Sequence, residues 1–490
     1  RRLSQGPPLE NSPIYDAITT PEISGLRAYW PCEDASGAAE IKSALVTGSP
    51  MVFLGQSPAL ASSSLFGGSF PLPTYASAAM LGAIPKYDTP SATQVRFLLY
   101  IPPEGARADL DLIVAVGQLS DISTTEYDRF ELFYNAPRGA QDGIVAAGSL
   151  SLEFRDLQGL TFGAYLDHGV DVRGKLLRVS LEFEESGTST IYTIRTLDLV
   201  TGADIAVSQT RTTQGLTRCT YVYPLVERYT VEGHVETATG LPNGVIGQIT
   251  VQNQITPMDD LGVRLDPSGE TAGRRVQRLC GEEGIAFDGV GDLDSTVTMG
   301  GQGQLNRLSL MQECDLADDG MITENLAVLG LAYRTRQSLE TQDPQLTLSY
   351  TGFNLSEVPL PVEDDRYIQN KVTVTVKDVS VTYALDDSSI LSISQPPTGV
   401  GIYGTDLNLN LFDTDDAGDH AAWRVHLGTV DEARFPQISV NLAHSSFTSN
   451  PALKQAVLAL RQGDRILVQN PPAWLPSDDI DQLILGFEET

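Results

Sequence analysis

The chain has 490 residues, with 32 Lys and Arg against 63 Asp and Glu, a formal charge of −31. That balance excludes a protein that wraps nucleic acid with a basic face, because phosphate binding needs clustered Lys and Arg, and it excludes docking on an anionic membrane surface. The length suggests about three domains, with ample chain for buried cores.

In chain order, the sequence opens at Arg1 without a Met or a leader-like segment, so the chain is expected to begin inside a longer product or after processing. Ser43 to Pro85 carries no charge, yet Pro50, Gly55, Pro58, Gly67, Gly68, Pro71 and Pro73 interrupt it. A spanning helix needs about 20 mostly apolar residues without such breaks, so short strands and loops are expected here and no membrane insertion. Val95 to Ile101, Leu112 to Val116, Phe130 to Tyr134, Leu150 to Phe154, Leu176 to Phe183 and Thr190 to Leu197 read as strands. Turns are expected at Glu184 to Thr188 and Asp198 to Gly202. This spacing predicts an all-β sandwich.

Between Tyr221 and Thr230 the composition shifts, and helices and strands mix thereafter. Asp266-Pro267 reads as a helix start, followed by Ala272, Val276, Leu279 and Cys280 on one face. A second helix is expected from about Gln304 to Ala317, with Leu305, Leu308 and Leu316 inward. A third carries Ala417, Ala421, Ala422 and Val425. The fourth starts at Asn450-Pro451 and buries Leu453, Val457 and Leu460 before Gly463. Lys371 to Lys377, Leu407 to Leu411 and Ile438 to Leu442 alternate with period two, the signature of strands with one wet face. Pro359 and Pro361 mark a joint. The expected divisions are 1–24, 25–224, 225–360 and 361–490.

Catalytic motifs are absent from the sequence. It holds no His-Glu-x-x-His, no Gly-x-Ser-x-Gly and no phosphate loop. The four cysteines, Cys32, Cys219, Cys280 and Cys314, form no Cys-x-x-Cys pair; buried free thiols are expected, with one disulfide left open. His420 and His426 are read as surface or capping residues. Glu182 and Glu184 share a strand face, which suits either a solvated sheet or a retaining glycosidase pair, whose carboxyls stand about 5–5.5 Å apart. The acidic runs at Asp318-Asp319, Glu363 to Asp365, Asp386-Asp387 and Asp413 to Asp416 fit polar turns or oxygen ligands for Ca²⁺, without EF-hand spacing. Tyr127, Phe130, Phe133 and Tyr134 are aromatic candidates, either for stacking on sugar rings or for the core. Tyr127, Phe130 and Tyr134 are carried forward as the ligand-binding set. No cofactor, metal or catalytic residue is assigned.

Two stretches carry a resemblance. Arg1-Arg-Leu-Ser-Gln-Gly6, Ser12-Pro-Ile-Tyr15, Ala28-Tyr-Trp-Pro-Cys-Glu-Asp34 and Ser36-Gly37 resemble minor tail proteins of actinobacterial long-tailed phages, in which such a segment leads into a laminin-G or concanavalin-like sandwich. The strand pair Arg178 to Phe183 and Tyr192 to Arg195, with Thr201-Gly202, is also similar to that sandwich. Gln312 to Gly320, Leu331 to Arg336, Ser338-Leu339, Leu346 to Leu348, Ile368, Asn370, Pro436 and Ile480 to Gly486 are similar to the tail-hub part of the same proteins.

The resemblance implies a mainly β fold with α+β parts: a concanavalin-like sandwich inserted into a hub of small β-barrels and α+β units, whose first strands precede Arg1. It implies a structural virion protein at the distal end of the tail, a homotrimer in contact with the distal tail protein and the tape-measure protein, with a lectin-like sandwich facing host cell-wall glycan. It implies no enzyme and no sequence-specific nucleic-acid binding. The alternative expectation is a secreted glycan hydrolase or a carbohydrate-binding surface protein.

Overall fold

The computed structural model describes residues 11–488 apart from 20–22, 56, 76–77, 86, 89–90, 106–109, 120–126, 136–145, 156–160, 213–218, 229–243, 304, 363–366, 378, 387–388, 432 and 476–477. The fold is mainly β, as expected. The described residues form two compact units, one within Leu9–Pro267 with Gln302–Gln304, the other within Ser268–Gly301 and Leu305–Thr490.

The first unit opens with helix α1 (Pro13–Thr19) and continues through sixteen strands. These are β1 (Leu26–Trp30), β2 (Glu40–Ile41), β3 (Met51–Gly55), β4 (Ala59–Ser63), β5 (Leu72–Tyr75), β6 (Ala78–Ala83), β7 (Ala92–Tyr100) and β8 (Leu110–Leu119). They are followed by β9 (Tyr127–Asn135), β10 (Leu150–Arg155), β11 (Thr161–Asp167), β12 (Leu176–Ser186), β13 (Ser189–Asp198), β14 (Asp204–Thr212), β15 (Cys219–Arg228) and β16 (Gly244–Gln252). One eight-stranded sheet runs β14-β13-β12-β7-β16-β5-β4, with β1 also on β16; the other runs β11-β10-β9-β8-β15-β6-β3-β2.

Alternation explains the layering. Val95, Phe97 and Leu99 on β7 and Val179, Leu181 and Phe183 on β12 are buried and meet Phe130, Leu132, Leu150 and Leu152 of the other sheet in one core, which Ile14 and Ile18 of α1 join. Two antiparallel sheets that each present one apolar face have this packing as their stable arrangement. The tight turn between β12 and β13 places Gly187 at φ 64°, a left-handed conformation that glycine adopts without steric cost.

The sandwich extends well beyond the expected end at residue 224. Strand β16, buried along its whole length, pairs with β7 over Val245 to Gln252 and with β1 over Ile249 to Gln252. Residues 253–267 follow as loop and a short 3-10 turn against the same sheet. The segment before residue 25 also belongs to this unit through α1.

In the second unit, α2 (Ala272–Glu282) and α3 (Arg307–Asp318) lie beside a three-stranded sheet of β17 (Ala286–Val290), β18 (Met321–Glu324) and β19 (Gly330–Arg334), and α4 (Arg336–Glu340) follows β19. Further on come β20 (Leu346–Ser349), β21 (Lys371–Val376), β22 (Val379–Ala384), β23 (Gly404–Asn408), α5 (Ala417–Gly428), α6 (Ser445–Thr448), α7 (Pro451–Leu458), β24 (Arg465–Gln469) and β25 (Ile480–Leu483). They supply two more three-stranded sheets, β22-β21-β23 and β20-β24-β25. Among the described residues, these open sheets stand where the resemblance implies small barrels. The expected joint near residue 360 falls inside this single unit.

Several helix details differ from the sequence reading. The first helix starts at Ala272 behind Thr271, five residues after Pro267. Helix α3 turns Leu310, Met311, Cys314 and Ala317 inward, while Leu305 and Leu316 are exposed. Asn306 caps α3 by accepting from Ser309 N, and this sets the start and the buried face. Ala417, Ala421 and Val425 of α5 are buried as expected. Leu453, Val457 and Leu460 pack half-buried around the core of Leu346, Leu348, Phe447, Ile466, Val468 and Ile480. Ile438, Val440 and Leu442 pack on that same core without forming a strand.

Candidate functional site

The aromatic candidates are core residues. Phe130 is 2% exposed, with ring centroids 4.5 Å from Phe183 and 5.3 Å from Tyr192. Tyr134 and Phe133 are buried as well. A buried ring offers no face to a sugar, so Phe130 and Tyr134 are corrected to core residues joining the sheets. The side chain of Tyr127 lies outside the described residues.

Glu182 and Glu184 do share a face of β12, but their environments differ. Glu184 is exposed, whereas Glu182 is 5% exposed and its Oε1 accepts from Arg195 Nε at 3.2 Å, Ser180 Oγ at 3.2 Å and Gln94 Nε2 at 3.4 Å. Farther along this outer face lies a buried charge cluster. Arg96 Nη1 donates to Asp260 Oδ2 at 2.8 Å, Arg178 Nη1 donates to Asp260 Oδ1 at 2.8 Å, and Arg178 also bonds Met258 O. Burial drives Arg178 down to about 10, assisted by the adjacent Arg96. Burial alone would raise Asp260, but the two guanidiniums prevail and hold it below the usual carboxylate range. Toward solvent, Arg195 pairs with Asp204 at 3.2 Å and Thr193 shares a hydroxyl bond with Ser208 at 2.8 Å. The sandwich thus presents a partly exposed polar strip on β13 and β14.

The second unit holds a cleft of about 240 Å³ lined by Ser295, Val297, Asp318, Arg336, Asp416, Asp419 and His420. Asp318 forms its floor: Oδ1 accepts from Val297 N at 3.2 Å, and Oδ2 accepts from Tyr333 Oη at 2.8 Å and Arg336 N at 3.2 Å. Burial nevertheless raises the Asp318 carboxyl. Its neighbour Asp319 pairs with Arg424 at 2.7 Å. His420 is 7% exposed, correcting the expected surface position, and burial with the nearby Arg424 and Arg336 pushes it down to about 4. It is therefore neutral at pH 7. Sequence reasoning missed this site because its walls come from four separate segments and no local spacing unites them.

The other candidates occupy structural positions. His168 bonds Thr196 Oγ1 at 3.1 Å, His426 stacks 5.6 Å from Trp423, and His444 caps α6. Asp413 accepts from Asp415 N at 2.9 Å in a polar turn, and no group of ligands among the described residues is arranged for a metal ion. Cys32, Cys280 and Cys314 are free and buried; the Cys219 side chain and Glu363 to Asp365 lie outside the described residues.

No protein-family profile and no curated protein matches the sequence. Solved structures with a partial likeness include a Trypanosoma rangeli sialidase in complex with sialic acid, at TM-score 0.31 and 9% identity over 50% of this chain and 33% of that one. A basic winged bean lectin with Tn-antigen gives TM-score 0.26 and 10% identity over 46% of this chain and 98% of that one. A Ruminococcus gnavus sialidase module, CBM40, bound to α2,3-sialyllactose gives TM-score 0.22 and 16% identity over 35% and 82%. The chain spans about a third of the length of the sialidase. These sialidase neighbours correct the expectation that the chain is not an enzyme, and that exclusion is withdrawn. At these scores they assign no reaction and no catalytic residue.

Proposed function

We propose that this chain is a structural and adhesion subunit of a phage tail tip, its α+β unit closing against copies of itself and its sandwich binding host cell-wall glycan. The observation that carries the association is the apolar surface of the α+β unit. Leu329 is 100% exposed, Leu485 74% and Phe353 72%, and Leu326, Val328, Leu360, Ile390, Trp474 and Phe487 are exposed too. So many large apolar side chains in water favour burial against a partner, and closed symmetric rings of one chain bury such surface without loose ends. The residue pattern from Arg1 to Gly37 supports the tail-tip assignment. The polar strip of Arg195, Asp204 and Ser208 supports glycan binding, since sugar hydroxyls pair with such groups.

Two measurements on the whole chain test this reading. Sedimentation should show a discrete oligomer, and an array of cell-wall polysaccharides should retain the protein. A lasting monomer that ignores every glycan would overturn it.

A further inference from the structure

Two loops of the α+β unit leave the same end of one sheet. Strands β20 and β24 are parallel, with Ser349 beside Gln469, so the segments that follow them emerge together at their C-terminal ends. Tyr350 N donates to Gln469 O at 3.0 Å, and Asn470 Nδ2 donates to Ser349 Oγ at 3.3 Å. Each loop is pinned by a leucine, Leu355 in one and Leu475 in the other, packed on the core of Leu346, Leu348 and Val468. Close to each leucine in sequence an aromatic ring is held out in water: Phe353 is 72% exposed and Trp474 61%.

The backbone of Phe353 sets it apart. Its φ is 55°, in the left-handed region where a bulky side chain is sterically strained. The turn holds it there: Phe353 N donates to Tyr350 O at 3.1 Å, Ser349 N donates to Asn354 Oδ1 at 2.8 Å, and Ser446 Oγ donates to Phe353 O at 3.0 Å. A glycine would take this conformation without steric strain, so a phenylalanine kept in water there points to a use for the ring. In the other loop Pro471 and Pro472 fix the path to Trp474, and Leu475 N closes a turn on Pro472 O at 2.9 Å. Neither 349–355 nor 469–475 contains a Lys, Arg, Asp or Glu. Thr351 and Asn470 are exposed in the same loops, and the exposed Asp478 and Asp479 follow.

We propose that Phe353 and Trp474 form a stacking platform for an uncharged polysaccharide, with Thr351 and Asn470 pairing its hydroxyls. A pyranose ring has an apolar face that rests on an aromatic ring and a rim of hydroxyls that needs neutral donors and acceptors. A charge-free patch offers no counter-charge to a carboxylated or phosphorylated polymer, and Asp478 and Asp479 at its edge repel one. The short polar side chains of these loops favour a sugar over a second copy of the chain, which would need a continuous apolar surface. The site goes beyond the adhesion reading, since it lies on the α+β unit and on a different sheet from the one that carries the Leu326 to Leu329 turn.

Iodide quenching of tryptophan emission in the whole chain reads this site, because Trp30 is fully buried, Trp423 is half-buried under Arg336, and Trp474 is open to the quencher. Cellohexaose, maltohexaose and N-acetylchitohexaose are the probes, with hexagalacturonate as the charged control. At least one neutral hexasaccharide should shield the emission saturably, and the control should not. Phe353→Ala keeps the reporter and should weaken that binding by about tenfold, the loss of one stacked ring, with sedimentation unchanged. Phe353→Gly should weaken it likewise while raising the thermal midpoint, a pairing that a merely structural ring would reverse. Emission unmoved by all three neutral sugars, equal shielding by hexagalacturonate, or full binding by both variants would overturn the assignment. A loss of assembly in Phe353→Ala would overturn it too, by placing the ring between copies. Glycan held by the sandwich alone gives array retention with Trp474 emission unmoved, so failure here is distinct from failure of the adhesion reading.

Discussion

Asp260 and Arg178 meet at 2.8 Å on the outer face of the first sheet, and the same carboxylate holds Arg96 at 2.8 Å through its other oxygen. One acid thereby neutralises two buried guanidiniums and ties the loop after β16 to β7 and β12. Removing it leaves both cations without a counter-ion in a desolvated layer. Asp260→Ala is expected to cost about 3–5 kcal/mol of stability, measured by urea unfolding, because an uncompensated buried charge costs far more than an exposed pair contributes. A loss below about 1 kcal/mol would show that solvent reaches the cluster.

The same cluster sets an acid limit. Asp260 has a folded-state pKa below its unfolded value, so its contribution is present above the unfolded pKa near 4 and is lost as pH falls through the lower, folded value. The chain should lose stability below about pH 4, and Asp260→Asn should remove that share of the slope. Parallel curves for both proteins between pH 2 and 5 would contradict this.

Asp315 gives the opposite sign. Burial pushes it up to about 6, with Ile322 N opposing through a hydrogen bond and Asp318 and Asp319 adding repulsion. Between the unfolded pKa near 4 and about 6 the folded chain binds the extra proton, so this group costs stability as pH rises through that window. Asp315→Asn keeps an acceptor for Ile322 and removes the charge. A gain on the order of 1 kcal/mol at pH 7 is expected, shrinking toward zero below about pH 4, in thermal unfolding across pH.

The core assignment of the aromatics is testable by truncation. Phe130→Ala should destabilise the sandwich by about 3–5 kcal/mol in chemical unfolding, the usual cost of deleting a buried ring. A glycan-contact residue would instead lose binding with little change in stability.

The contrast between Phe130 and Lys371 to Val376 shows what the sequence makes legible. Val372, Val374 and Val376 alternate with polar neighbours, and all three are fully buried, because a strand with one wet face writes its orientation into local order. The same alternation at Ile438, Val440 and Leu442 forms no strand, since apolar side chains can cover a core from irregular chain. Strand β16 lies past the expected end of the sandwich at residue 224, because its partner β7 is about 150 residues earlier and such pairing leaves no local trace. The cleft was illegible for the same reason: Asp318 and His420 are 102 positions apart, and only the docking of α5 beside α3 joins them.

The last prediction concerns association. Leu326, Val328 and Leu329 sit on one turn between β18 and β19, exposed by 62%, 54% and 100%. Because these side chains are already in water, replacing them should leave folding stability within about 0.5 kcal/mol. In an interface each would bury area at roughly 25 cal/mol per Å², and a charge there would be desolvated without a partner. Leu329→Asp combined with Leu326→Asp should therefore leave the unfolding curve unchanged and shift the sedimentation profile toward monomer. A doubly substituted chain that assembles like the original would remove this turn from the contact surface and leave the role to the exposed Leu485 and Phe487.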